Sequence, residues 1–224
     1  MVGPLPALVR CSLLALGLCL PPAILAAQAA ATVGQARSGP RPLLPEAREI
    51  ALARSAAPAA VSDSATIFVL GDTGYRVAVT GTSGVACYVS RGWPGSIEPH
   101  CLDAEGAATI MLMDMRRVEL RHRGAPHEEE EQEIQAGLAS GRFRLPRRPV
   151  LSWMMSAAQQ LISDGGTPVG AWQPHLMIYY PYLTAAETGL AGPPDPRHAM
   201  LTDAGRPTAN LTIVVRDFIE PRMP

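Results

Sequence analysis

The chain has 224 residues, a net charge of −1 and 47% hydrophobic content. So balanced a charge creates no field that favours nucleic acid or an acidic membrane surface. All 19 basic residues are Arg, the bias of a GC-rich genome, and without Lys there is no Schiff-base amine and no P-loop lysine.

The first 29 residues read as an export signal. Arg10 precedes an apolar run over 11–20, Pro21 and Pro22 interrupt it, and 23–30 supply small residues for cleavage near Ala27 or Ala29. Two other readings compete. A permanent span needs about 20 uninterrupted apolar residues. A lipoprotein box at Leu16-Gly17-Leu18-Cys19 is disfavoured by the bulky Leu18. Residues 30–45, with Gly34, Gly39, Pro40, Pro42 and Pro45, are expected to form a flexible linker. Residues 46–224 then make one domain, since a mature chain of about 195 residues suffices for one core and is short for two. This organisation implies a periplasmic or extracellular protein with no stable membrane span after signal cleavage.

In chain order, a helix is expected over 46–57, with Pro45 before it, Glu46 and Glu49 in its first turn and Pro58 ending it. A β-meander follows: strand 65–70, turn 71–74, strand 75–80 with Tyr75, Val77 and Val79 on one face, turn 81–84, and strand 85–90. Cys87 shares a face with Val85 and Val89. The loop 91–103, with Trp93, Pro94, Gly95 and Pro99, brings Cys101 back toward that strand. In an exported chain these two cysteines pair as a disulfide. The competing reading, reactive or metal-binding thiols, needs reducing conditions or further ligands.

Met111, Met115 and Val118 form a helical stripe over 109–123, while the alternation of Met111, Met113 and Met115 offers a strand instead. A second helix starts after Pro126. Glu128, Glu129, Glu130 and Glu131 suit its positive end, Ile134 and Leu138 form its buried stripe, and Gly141 stops it. A basic loop over 142–149, a strand over 150–155 and a loop with Gly165, Gly166 and Gly170 lead to 172–183. One helical turn over 184–188 has Thr184 as cap and Glu187 as capping-box partner. An irregular loop covers 189–208 and a last strand 210–216. Strands, then helices, then strands predict an α+β fold, a largely antiparallel sheet with two to three helices packed on one face.

The stretch 172–183 holds four of the eight Trp and Tyr residues and reads as a buried strand with an aromatic collar. On a pleat, His175, Met177 and Tyr179 share one face. His175, Tyr179, Trp172 and Trp153 are therefore candidate binding residues, with Trp153 on a neighbouring strand. The competing reading makes His175 a core histidine hydrogen-bonded to backbone. No second histidine lies at ligand spacing. His127-Glu128 begins like the zinc motif but has Glu131 where the second His belongs. The serine-hydrolase elbow, the dinucleotide fingerprint and the Walker pattern are absent, and Asp72-Thr73-Gly74 serves as a turn. No catalytic residue, metal ligand or cofactor is assigned. The Arg and Glu blocks over 116–148 read as a mutually paired surface or as an anion contact. Asn210-Leu211-Thr212 is a formal glycosylation sequon.

The helix over 49–58, the strand over 65–70, the strand with Cys87 and Pro174-His175-Leu176-Met177, in this order, resemble a set of uncharacterised exported bacterial proteins. The resemblance spans about 46–216. It implies a bacterial exported domain and carries no activity. The functional expectation is non-enzymatic binding of an unidentified small molecule or cell-envelope partner. The alternative is a hydrolase or metal-assisted enzyme with a dispersed site including His175.

Overall fold

The computed structural model describes residues 43–92, 96–162 and 168–223. The expected export signal, most of the linker, Trp93, Pro94, Gly95, Gly165 and Gly166 lie outside the described residues. All described residues fall in one compact unit.

An eight-stranded sheet organises the fold. Its order is β2 (Gly74–Val79), β1 (Thr66–Gly71), β3 (Ala86–Ser90), β4 (Glu98–Leu102), β5 (Val150–Met154), β8 (His175–Tyr179), β10 (Asn210–Val214) and β9 (Met200–Thr202). A separate small hairpin joins β6 (Leu161–Ile162) to β7 (Pro168–Gly170). Every pairing in the large sheet is antiparallel except β1 with β3. Helices α3 (Ala104–Ala107), α4 (Ile110–His122) and α5 (His127–Ala139) lie on one face, where Ile110, Met111, Met113, Met115 and Ile134 pack on Tyr88, Leu102, Met154 and Met177. Helix α1 (Glu46–Arg54) covers the opposite face, with Leu52 and Ala53 against Ile67, Cys87, Val89 and Cys101. The short helices α2 (Ala59–Ser62) and α6 (Ala185–Thr188) complete the set. The architecture is the α+β fold with a largely antiparallel sheet that the sequence order implies.

Three local expectations are corrected. The first three strands are not a meander, because β3 pairs in parallel with β1 and leaves β2 at the edge. Strand β2 carries Arg76 and an exposed Val77, side chains suited to an edge and not to a buried centre. A bulge opposite Ile67 and Phe68 also splits its apolar face, so Tyr75 joins one core and Val79 the other. The loop expected over 91–103 ends in a true strand, β4. Its Pro99 is tolerated because β4 meets β5 only at Cys101 and Leu102, so the missing N–H interrupts no ladder there. The stretch 172–183 is strand only over His175–Tyr179, and Trp172, Tyr180 and Tyr182 are exposed, so the collar is largely a surface feature.

Other elements form for the reasons their residues suggest. At α6 the Thr184 hydroxyl accepts from the Glu187 N–H at 3.3 Å and the Glu187 carboxylate accepts from the Thr184 N–H at 2.8 Å. Gly106 lets α3 sit on the sheet, since a Cβ there would lie 2.5 Å from Val150 Cγ1. Arg116, Arg117 and Arg121 of α4 pair with Glu133, Glu131 and Glu130 of α5, so the alternating charge blocks hold two antiparallel helices together. Asn210 is buried, with its Nδ2 donating to Thr208 O, which hides the sequon. Glu49, read from sequence as a helix-dipole residue, is instead fully buried. Its Oε1 accepts from the Leu70 N–H and from Arg91, which is also buried. Burial raises the Glu49 carboxyl above its ordinary range despite the adjacent guanidinium.

Cys87 and Cys101 are bonded, with Cα atoms 4.0 Å apart, and they face each other directly across β3 and β4. The bond ties together two strands of the buried sheet, both cysteines being inaccessible. Closing this loop contributes about 3 kcal/mol in the chain-entropy model. Replacing both cysteines by Ser should lower the unfolding free energy by about that amount in denaturant titration. An unchanged midpoint would show that the bond is not a stabilising tie.

Candidate functional site

The pleat decides which side chains share a face. Cys87 and Cys101 point toward α1, so their neighbours Tyr88 and His100 point toward α4. Tyr88 is opposite His100 across β3 and β4. Continuing the antiparallel register one residue past the Cys101–Trp153 pair brings His100 level with Met154. Met154 is opposite His175, and His175 is opposite Val214. Tyr88, His100, Met154, His175 and Val214 thus form one row across five strands. Parallel rows run through Met177 and Thr212 and through Tyr179 and Asn210.

Above these rows lies a cleft of about 960 Å³. Its floor is the sheet. Its walls are Ile110, Met113 and Asp114 of α4, Ile134 of α5, and segments 171–173 and 194–208. Its size falls within the range of small-molecule sites, which combine apolar walls with a few convergent polar groups.

Of the candidate residues, His175, Tyr179 and Trp172 all line this cleft. Trp172 stands at the rim, 43% exposed, edge-on to the His175 ring at 6.4 Å. Tyr179 is buried and its hydroxyl lies 3.5 Å from Met177 Sδ. Trp153 is not part of the group. It is one residue out of phase with Ser152 and Met154, pairs with Leu176 and packs in the core under α1. The parity that puts His175 and Tyr179 in the cleft puts Trp153 on the other face.

The polar centre includes residues that sequence reasoning passed over. Asp114 Oδ2 accepts from the Tyr88 hydroxyl and the Ser90 hydroxyl, each at 2.7 Å. Tyr88 has one hydroxyl proton and spends it on this carboxylate. Its oxygen therefore accepts from His100 Nδ1–H at 3.3 Å. That tautomer leaves the His100 Nε2 lone pair, which is buried and has no hydrogen-bond partner among the described residues. His175 follows the same pattern. Its Nδ1 lies 2.6 Å from the Gln173 carbonyl, which can only accept, so Nδ1 carries the proton and Nε2 the lone pair.

Burial sets the charge of both rings. It lowers His100 to about 4, partly opposed by Asp114 and reinforced by His175. It lowers His175 as well, opposed by the Gln173 hydrogen bond. Both rings are neutral at neutral pH. Burial, and then Asp114, holds the Tyr88 phenol well above its usual value, so it stays a donor.

His100 and Tyr88 had a usable signal in the sequence. Each adjoins a cysteine, and once the cysteines face each other across two strands their neighbours must do so on the other face. Asp114 had no such signal, because only the docking of α4 aims it at Tyr88.

No group of three or more His, Cys, Asp or Glu side chains placed to hold a metal ion occurs among the described residues. No helix among them is long and apolar enough to cross a membrane. Compared with known proteins, the chain matches no family model, no curated protein and no solved structure.

The folded-state value of His100 lies below that of a free imidazole. The unfolded chain therefore binds the extra proton between about pH 6.5 and 4. Stability from this site is complete above pH 6.5 and is lost as pH falls toward 4, by about 3 kcal/mol for a shift of this size. Urea titrations across that window should show the loss in the native protein and a flatter profile in His100→Gln. Equal slopes in the two proteins would contradict a buried neutral His100.

Proposed function

We propose that this is an exported bacterial domain that binds a small molecule, without catalysis, in the cleft over the α4 face of its sheet. The observation that carries this reading is the convergence of His175, Tyr179 and Trp172 with His100 and Asp114 on one cavity of about 960 Å³. The apolar walls supply burial, and the His175 lone pair supplies a fixed acceptor for a hydrogen-bond donor on the ligand. Export is supported by the residue pattern over 1–29 and by the Cys87–Cys101 bond, which belongs to oxidising compartments. A nucleic-acid partner is disfavoured by the net charge and by the engagement of the α4 arginines with α5 glutamates. Membership of the set of exported bacterial proteins is supported only by the sequence resemblance over about 46–216.

A hydrolase or metal-assisted reading would use the same imidazoles. It requires an activated nucleophile, and the Ser90 hydroxyl donates to Asp114 instead of to a histidine. A surface-bound envelope partner would instead use exposed aromatics such as Tyr180 and Tyr182.

Thermal-shift screening of the protein against a panel of small metabolites tests the binding reading. A true ligand at about 100 times its Kd stabilises by roughly 2.7 kcal/mol. Trp172→Ala should leave the unliganded melting temperature nearly unchanged, because the side chain is half-exposed, and should weaken that ligand at least about tenfold. A panel without a hit, or a hit indifferent to Trp172→Ala and to His175→Ala, would contradict the reading.

A further inference from the structure

We propose that the floor of the cleft is a copper(I) site, with His100 Nε2, His175 Nε2 and the Met154 thioether as its three ligands. The proposal rests on the cleft being a binding site and goes further by naming the ligand.

Position comes first. His100, Met154 and His175 occupy one row on three adjacent strands, all on the face beneath the cleft. Strand spacing puts the two histidine Cα atoms on the order of 10 Å apart, with Met154 midway. At that spacing, imidazoles on the two outer strands can reach inward over the central side chain. All three side chains line the same cleft. All three residues are buried, so the site is held by packing on a rigid sheet and not by loops.

Orientation follows. A metal-binding histidine characteristically donates its other ring N–H to a carboxylate, a backbone carbonyl or a similar acceptor, which fixes the tautomer and aims the lone pair. Both rings already have this arrangement. His175 Nδ1–H is held by the Gln173 carbonyl. His100 Nδ1–H is held by Tyr88, itself anchored on Asp114. The His100 Nε2 atom, in a residue that is 94% buried, has no hydrogen-bond partner among the described residues. A buried acceptor left without a donor is costly, and a cation at this position satisfies it.

Ligand softness selects the metal. Two imidazoles and a thioether suit Cu(I), whereas zinc favours thiolate, imidazole and carboxylate, and calcium and magnesium need oxygen. Among the described residues, no third His, Cys, Asp or Glu joins the pair. Cys101 is adjacent in sequence to His100 but points to the other face and is locked to Cys87. The carboxylate of Asp114, two hydrogen bonds from His100 through Tyr88, balances the single positive charge.

The test is a titration of the full chain, carrying Cys11→Ser and Cys19→Ser so that no free thiol competes, with Cu(I) kept reduced by ascorbate and contested by bicinchoninate. One equivalent should be withdrawn from the competitor, and the X-ray absorption spectrum should contain both nitrogen and sulfur scatterers. His100→Gln, His175→Gln and Met154→Leu should each weaken binding at least about a hundredfold. Tyr88→Phe, which only removes the orienting partner, should weaken it about 10–100-fold. Met113→Leu, also in the cleft but off the row, should not. If a ligand variant fails to fold, the imidazole ¹⁵N shifts of the unsubstituted histidines decide the point, since Cu(I) must move both Nε2 signals. No withdrawn equivalent, unmoved Nε2 signals, or binding indifferent to the two histidines overturns the proposal. If metabolites still bind while copper does not, only the copper site falls. If nothing binds, the cleft reading falls with it.

Discussion

The fold depends on the facing pair Cys87–Cys101. A disulfide across two antiparallel strands fixes their register, and a slip of one residue would move every side chain of β4 to the other face. With both cysteines turned to α1, Tyr88 and His100 must face α4. The ladder then transmits this parity through β5 to β8, where Met154 and His175 take the same side. The composition of the cleft floor is therefore a consequence of pairing geometry, set four strands wide by one covalent tie.

The helices complete the site because they are held rigidly. Helix α4 inserts Met111, Met113 and Met115 into the core, so its Asp114 has little freedom and meets Tyr88 and Ser90. The opposite, polar side of α4 is clamped to α5 by three Arg–Glu pairs, of which Arg121–Glu130 is largely buried. At the C-terminal ends of the neighbouring strands β1 and β3, Glu49 and Arg91 form a second buried pair that joins them to α1. Breaking one partner of such a pair strands a charge in the interior, typically costing about 3–5 kcal/mol. These pairs specify how elements meet more than they add net stability.

Much of this was legible in the residues. Helices α1, α4 and α5 and strands β1, β5 and β10 form where Pro, Gly and alternation signals place them, and the capping box of α6 and the cysteine pair appear as their spacing implies, whereas β4 and β9 arise inside stretches expected to be loops. The face shared by His175 and Tyr179 follows from period two alone. What was not legible depends on long-range pairing. β1 and β3 associate in parallel, a choice no local signal records. Trp153 is excluded from the cleft by one residue of phase, which sequence cannot set without knowing the β5–β8 register. Glu49 resembles any acidic residue in a first helical turn, and only the approach of Arg91 from 42 positions away buries it. Asp114 becomes part of the site only when α4 docks.

The site's chemistry reduces to two neutral imidazoles held by their Nδ1 protons with Nε2 lone pairs toward the cleft. Its ligand preference follows from that arrangement together with the Met154 thioether. Long-range ¹H–¹⁵N correlation spectra of the imidazoles in the unliganded protein at neutral pH test it most directly. The account predicts that His100 and His175 both show protonated Nδ1 and unprotonated Nε2. An Nε2–H tautomer or a charged ring at either position would contradict it.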